Sequence, residues 1–101
     1  MSLTSDQSNN KVIIEVVFDQ YFENWKVQYW LGDFDEIKSI ETFNSQRDAV
    51  TNALVDVWVS ENDGMKPVLR VHERNGDLVS YPLLTSWQEI AKDLYYERVY
   101  T

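Results

Sequence analysis

The chain of 101 residues has no cysteine, one histidine and three glycines. Without cysteine there is no disulfide framework and no thiolate metal site. With His72 alone, imidazole chemistry has a single candidate. No apolar run approaches the ~18 residues of a membrane-spanning helix. Residues 1–10 (MSLTSDQSNN) lack a basic start and an apolar stretch. They are expected to be a disordered tail rather than a signal peptide. Residues 11–101 are expected to form a single domain, and the missing cysteine fits a reducing, cytoplasmic setting. Nothing in the composition implies a cofactor.

Basic residues are also scarce, nine against 17 acidic ones, for a net charge of −8. The imbalance lies in residues 12–63, with eleven acids and three bases, whereas residues 64–101 carry five of each. An acidic field repels phosphate backbones, so nucleic acid is a disfavoured partner. Acidic surface also keeps a small domain soluble. Aromatics are abundant, with four Trp, six Tyr and four Phe, more than one small core needs.

Residues 11–19 (KVIIEVVFD) read as a strand with Val12, Ile14, Val16 and Phe18 on its buried face. Residues 25–30 (WKVQYW) alternate, placing Trp25, Val27 and Tyr29 on one face and Lys26, Gln28 and Trp30 on the other. Residues 36–43 read as a third strand, where Ile37, Ile40 and Phe43 recur every three residues and call for a bulge. Ser45 and Asp48 frame a helix start. Val50, Ala53, Leu54, Val57 and Trp58 follow as an amphipathic stripe, and Gly64 stops it. Asn75-Gly76 predicts a two-residue hairpin turn, with Arg74 opposite Asp77 and His72 opposite Val79. Ser86 and Glu89 form a second capping box before the stripe Trp87, Ile90, Ala91, Leu94 and Tyr95. The order β-β-β-α-β-β-α predicts an α+β fold. It is an antiparallel sheet of about five strands with two amphipathic helices on one face, which leaves the other face open.

Three segments resemble a family of short uncharacterised bacterial proteins, a domain of unknown function. They are Trp25-Lys26-Val27, residues 43–50 (FNSQRDAV) and residues 69–76 (LRVHERNG). The resemblance implies a strand–helix–hairpin core and no catalytic residue. The strong acidity and the long C-terminal helix depart from the family.

The candidate interaction face is Trp30, Arg70, His72, Arg74, Val79 and Tyr81. Lys66, Arg70, His72 and Arg74 share parity and form a basic stripe. With Tyr81 and Trp30 it has the ingredients of a base-stacking platform, although acids on neighbouring strands or on a second subunit answer it more simply. A catalytic His72 would need an orienting carboxylate, for which Asp77 is within reach, and a nucleophile; Ser80 points to the opposite face. Asp33, Asp35 and Glu36 lack the scaffold of a Ca²⁺ loop and read as a solvated turn. Trp30, Tyr81, Tyr96 and Tyr100 fall outside the buried stripes, and residues 95–100 (YYERVY) are free to pair as an extra strand or to dock on another copy. The expectation is a non-enzymatic interaction or regulatory module with no metal and no membrane partner. It acts through the open sheet face, with itself as a homodimer or with another protein. The alternatives are an acidic inhibitor or immunity-type protein that blocks a basic partner, and a nucleic-acid-binding module.

Overall fold

The two-residue alternation of apolar and polar side chains builds a sheet with one dry face. The computed structural model describes residues 11–31, 37–79 and 87–100. They run β1 (Lys11–Asp19), β2 (Asn24–Leu31), β3 (Ile37–Phe43), α1 (Gln46–Asn62), β4 (Lys66–Val71) and α2 (Gln88–Tyr100). The tail, the Asp33–Glu36 acids, Ser80, Tyr81 and the Ser86 cap lie outside the described residues.

The fold is α+β, but the sheet is mixed and, among the described residues, has four strands in the order β3-β2-β1-β4. The expected sheet of about five antiparallel strands is corrected on both points. β1 pairs β2, and β2 pairs β3, antiparallel through short connections, while β4 runs parallel to β1. The cause is α1. A helix between two strands carries the chain back to the end of the sheet where β1 begins, and β4 then enters in the direction of β1. After β4, the described part of the hairpin return makes one bridge, His72 with Leu78, and no fifth strand.

The dry face is the predicted one. Ile14 and Val16 of β1, Trp25 and Val27 of β2 and Val71 of β4 are buried against Ala49, Val50, Ala53, Leu54 and Val55 of α1. The expected bulge is present. Tyr29 pairs Ser39 and Trp30 pairs Ile37, so Lys38 has no opposite residue.

Ser45 caps α1 by accepting from the Asp48 N–H at 3.1 Å. At the other end Gly64 takes φ +82. Its N–H donates to Glu61 O and that of Met65 to Ser60 O, at 3.0 and 2.9 Å. This pair of bonds uses carbonyls that the helix end leaves open.

α2 leans on α1 rather than on the sheet, which corrects the expectation of both helices against one sheet face. Ala91 is its buried residue, while Trp87, Leu94 and Tyr95 are half-buried against the core. Ile90, expected in the buried stripe, is exposed. The Tyr95 ring meets Trp58 edge-on at 5.7 Å, Asn62 Nδ2 donates to the Tyr95 hydroxyl, and Arg98 Nη1 donates to Asp56 Oδ1 at 2.8 Å. Residues 95–100 are therefore helix, not strand. α1 is sandwiched between sheet and α2, so its burial extends past one stripe to Ala49, Thr51 and Val55.

Candidate interaction surface

Both helices lie beyond the dry face, so the residues of opposite parity form a face that no described element covers. The strand register sets them in rows. Trp30, Ile13 and Val68 are aligned across β2, β1 and β4. Ile40, Gln28, Glu15 and Arg70 form the next row across all four strands. Lys11 and Lys66 stand side by side at the strand ends beyond the apolar row. Ile40 is 48% exposed and Val68 39%. These are aliphatic positions on a wet face, where alternation alone would place polar side chains.

Charge is unevenly divided between the two sides of the molecule. Among the described residues the open face carries Lys11, Lys26, Lys66 and Arg70 against Glu15 and Asp19, on a chain of net −8. Lys26 is held by Asp19 at 2.6 Å. That contact and the backbone N–H groups of Phe22 and Tyr21 lower the Asp19 carboxyl below its ordinary range, against the effect of burial. Lys11, Lys66 and Arg70 form no ion pair among the described residues. Lys11 and Lys66 directly opposite each other are mutually unfavourable. The helical side bears seven carboxylates (Asp48, Asp56, Glu61, Asp63, Glu89, Asp93, Glu97) against Arg47, Lys92 and Arg98.

His72 closes one end of the open face. Its Nδ1 donates to Gly76 O at 3.0 Å and its Nε2 lies 2.8 Å from Glu15 Oε2. The Gly76 carbonyl raises the imidazole above its usual range. Glu15 adds to the rise, while burial and the nearby Arg70 oppose it. With a carbonyl on one nitrogen and a carboxylate on the other, the ring is built to hold two protons. The basic stripe is thus answered internally at His72, while Lys66 and Arg70 have no ion-pair partner among the described residues. The carboxylate at the ring is Glu15 from β1, not Asp77. Their separation of 57 residues in the chain is why sequence spacing missed it.

Two candidate face residues, Arg74 and Val79, depart from their expected places. The turn holds three residues, Arg74, Asn75 and Gly76, because the Glu73 N–H donates to Asp77 O and the Gly76 N–H to Glu73 O, at 2.6 and 2.9 Å. Gly76 alone takes positive φ, +99, so this is a type I turn closed by a glycine bulge and not the two-residue type I′ form. The extra residue shifts the register by one. His72 faces Leu78, and the Val79 N–H donates to Val71 O at 2.8 Å. Val79 consequently joins the dry face and packs against the core. Arg74 leaves the stripe at the turn, with its guanidinium 4.5 Å from the Phe18 ring centre. Tyr81 lies outside the described residues. Trp30, Arg70 and His72 remain together on the open face.

Sequence spacing also missed a polar junction on the other side of the sheet. The Tyr29 hydroxyl reaches Glu41 Oε1 at 2.8 Å and touches Asp56, the carboxylate that holds Arg98. Burial is the main force raising the Tyr29 phenol above its usual value, with Asp56 and Glu41 adding to it. A cleft of ≈ 510 Å³ lined by Leu54, Val57, Trp58, Leu69 and Leu78 adjoins Val79 and Gln88. Residues 80–86, between those two in the chain, lie outside the described set. Among the described residues no group of three or more His, Asp or Glu side chains is placed to hold a metal ion. No described helix is long and apolar enough to cross a membrane.

The chain matches no protein-family model, no curated protein and no solved structure. The resemblance of the W-x-V, F-x-S and N-G segments rests on those residues alone.

Proposed function

We propose that this chain is a non-enzymatic interaction module that associates with a second copy of itself through the open face of its sheet. The observation that carries this reading is the row Trp30, Ile13 and Val68 with Ile40 beside it, apolar side chains on a face over which no described element packs. Exposed contiguous apolar surface on a small domain marks a contact site. Engagement of both His72 nitrogens by Gly76 and Glu15 supports a structural place for the one histidine.

Light scattering at rising protein concentration tests the reading. The mass should climb above that of one chain. Val68→Asp should return it to the monomer with an unchanged circular dichroism spectrum. A wild-type chain that stays monomeric at millimolar concentration, or a Val68→Asp chain that associates as before, refutes it.

A second reading is favoured by the acidic helical side. Its surplus of carboxylates suits a basic protein partner, as an inhibitor would need. Salt-sensitive binding to a basic nuclease would establish that reading. Nucleic acid has less support, because Arg74 has turned away from the stripe and aliphatic side chains occupy most of the apolar row.

A further inference from the structure

The outer face of α2 carries a second stripe, over which no described element packs. Glu89, Asp93, Tyr96 and Tyr100 recur at i, i+4, i+7 and i+11, one line along a helix. All four are exposed, Tyr96 by 52% and Tyr100 by 72%. The two tyrosines stack on each other at 5.5 Å with their planes 24° apart. The opposite side of the helix is pinned to α1 through Ala91, Tyr95 and Arg98, so the stripe is presented on a fixed element. Two carboxylates lead and two aromatic rings follow.

The open sheet face has the reciprocal make-up, with Lys11, Lys66 and Arg70 in no ion pair among the described residues around the apolar row Trp30, Ile13 and Val68. Packing two open faces together would instead set two surfaces against each other that each carry a surplus of cations, four against Glu15 and Asp19 among the described residues, a charge balance that disfavours association. We infer that the open sheet face of one copy receives the Glu89–Asp93–Tyr96–Tyr100 stripe of the next. This rests on the self-association proposed above and identifies which surface of the second copy takes part. Carboxylates meet Lys66, Lys11 and Arg70, and the tyrosines cover the apolar row. The contact is heterologous. Each copy offers both halves, so association does not stop at two chains unless a ring closes.

Charge exchange between the two surfaces tests this. One variant carries Lys66→Glu and Arg70→Glu; the other carries Glu89→Lys and Asp93→Lys. All four positions are exposed, and circular dichroism checks that each variant is folded. The expected result by light scattering is that each variant alone is monomeric and that their equimolar mixture regains the wild-type mass. The wild-type mass should exceed that of a dimer at high concentration and fall with added salt. If the Glu89→Lys/Asp93→Lys variant alone still dimerises and the Lys66→Glu/Arg70→Glu variant does not, the open face associates with itself. The inference then fails while the function reading survives. If the Lys66→Glu/Arg70→Glu variant associates as the wild type does and Val68→Asp does too, both fail. Monomeric variants that do not recover on mixing overturn the inference. So does a wild-type monomer that binds a fluorescent oligothymidylate in an Arg70-dependent way.

Discussion

The hydroxyl of Tyr29 on β2 touches the carboxylate of Asp56 on α1, across the boundary between sheet and helix. Asp56 in turn holds Arg98 of α2 at 2.8 Å, so one aspartate joins all three layers. The phenol has one proton and two carboxylate neighbours, Asp56 and Glu41.

Tyr29→Phe leaves those carboxylates without their shared donor and should cost about 1–2 kcal/mol in urea unfolding. The sign with pH follows from the raised phenol. The folded state holds the proton more tightly than the unfolded one. The stabilisation is therefore complete below about pH 10 and declines as pH rises beyond it. Wild type should lose its advantage over Tyr29→Phe in alkaline titrations followed by phenolate absorbance and circular dichroism. An advantage unchanged on the alkaline side would remove the junction from the account.

His72 carries the same sign. Its imidazole is raised in the fold, so its contribution is fully present below about pH 6.5 and is lost as pH climbs through the raised value. The difference in Tm between wild type and His72→Gln should be larger at about pH 5.5 than at about pH 9, within the modest range of a partly exposed pair. Equal differences at both would mean that the ring is not held between the Gly76 carbonyl and Glu15 in solution.

Leu54 and Leu94 separate the two helices by depth. Leu54 is buried and Leu94 half-buried. Leu54→Asp should cost at least about 3 kcal/mol and Leu94→Asp about 1 kcal/mol. Chemical denaturation of both variants reads the difference. Equal losses would place α2 as deep in the core as α1.

Glu23 closes the β1–β2 connection at φ +53, in the left-handed region that a Cβ disfavours. Glu23→Gly should raise stability by about 0.5–1 kcal/mol, an upward Tm shift of several degrees. A lower Tm would mean that the Glu23 side chain makes a contact worth more than the strain.

What was legible in the sequence is what short spacing encodes. The Ser45 cap, the Gly64 stop, the dry faces of β1 and β2 and the β3 bulge all follow from neighbours within a few positions. Strand direction does not. Residues 66–71 show the same alternation whether β4 runs with β1 or against it, and the length of α1 decides. Asn75-Gly76 was recognisable as a turn, but glycine suits both the two-residue and the three-residue form. That single residue moved Val79 to the core and took Arg74 off the stripe. The Tyr29–Asp56 and His72–Glu15 pairs join distant segments, and no local pattern announces them.

The parallel pairing of β1 with β4 also sets an order of events during synthesis. β1, β2 and β3 emerge first and can zip together through short turns. One edge of β1, with Ile14 and Val16, then waits until the whole of α1 and β4 has been made. Through that interval the nascent chain displays a long β-branched edge, the kind of edge that pairs with other chains. Pairing β1 with β4 joins segments far apart in the chain, a kind of contact that forms more slowly than a helix grows. The arrival of β4 therefore shields this edge of β1 as well as completing the sheet.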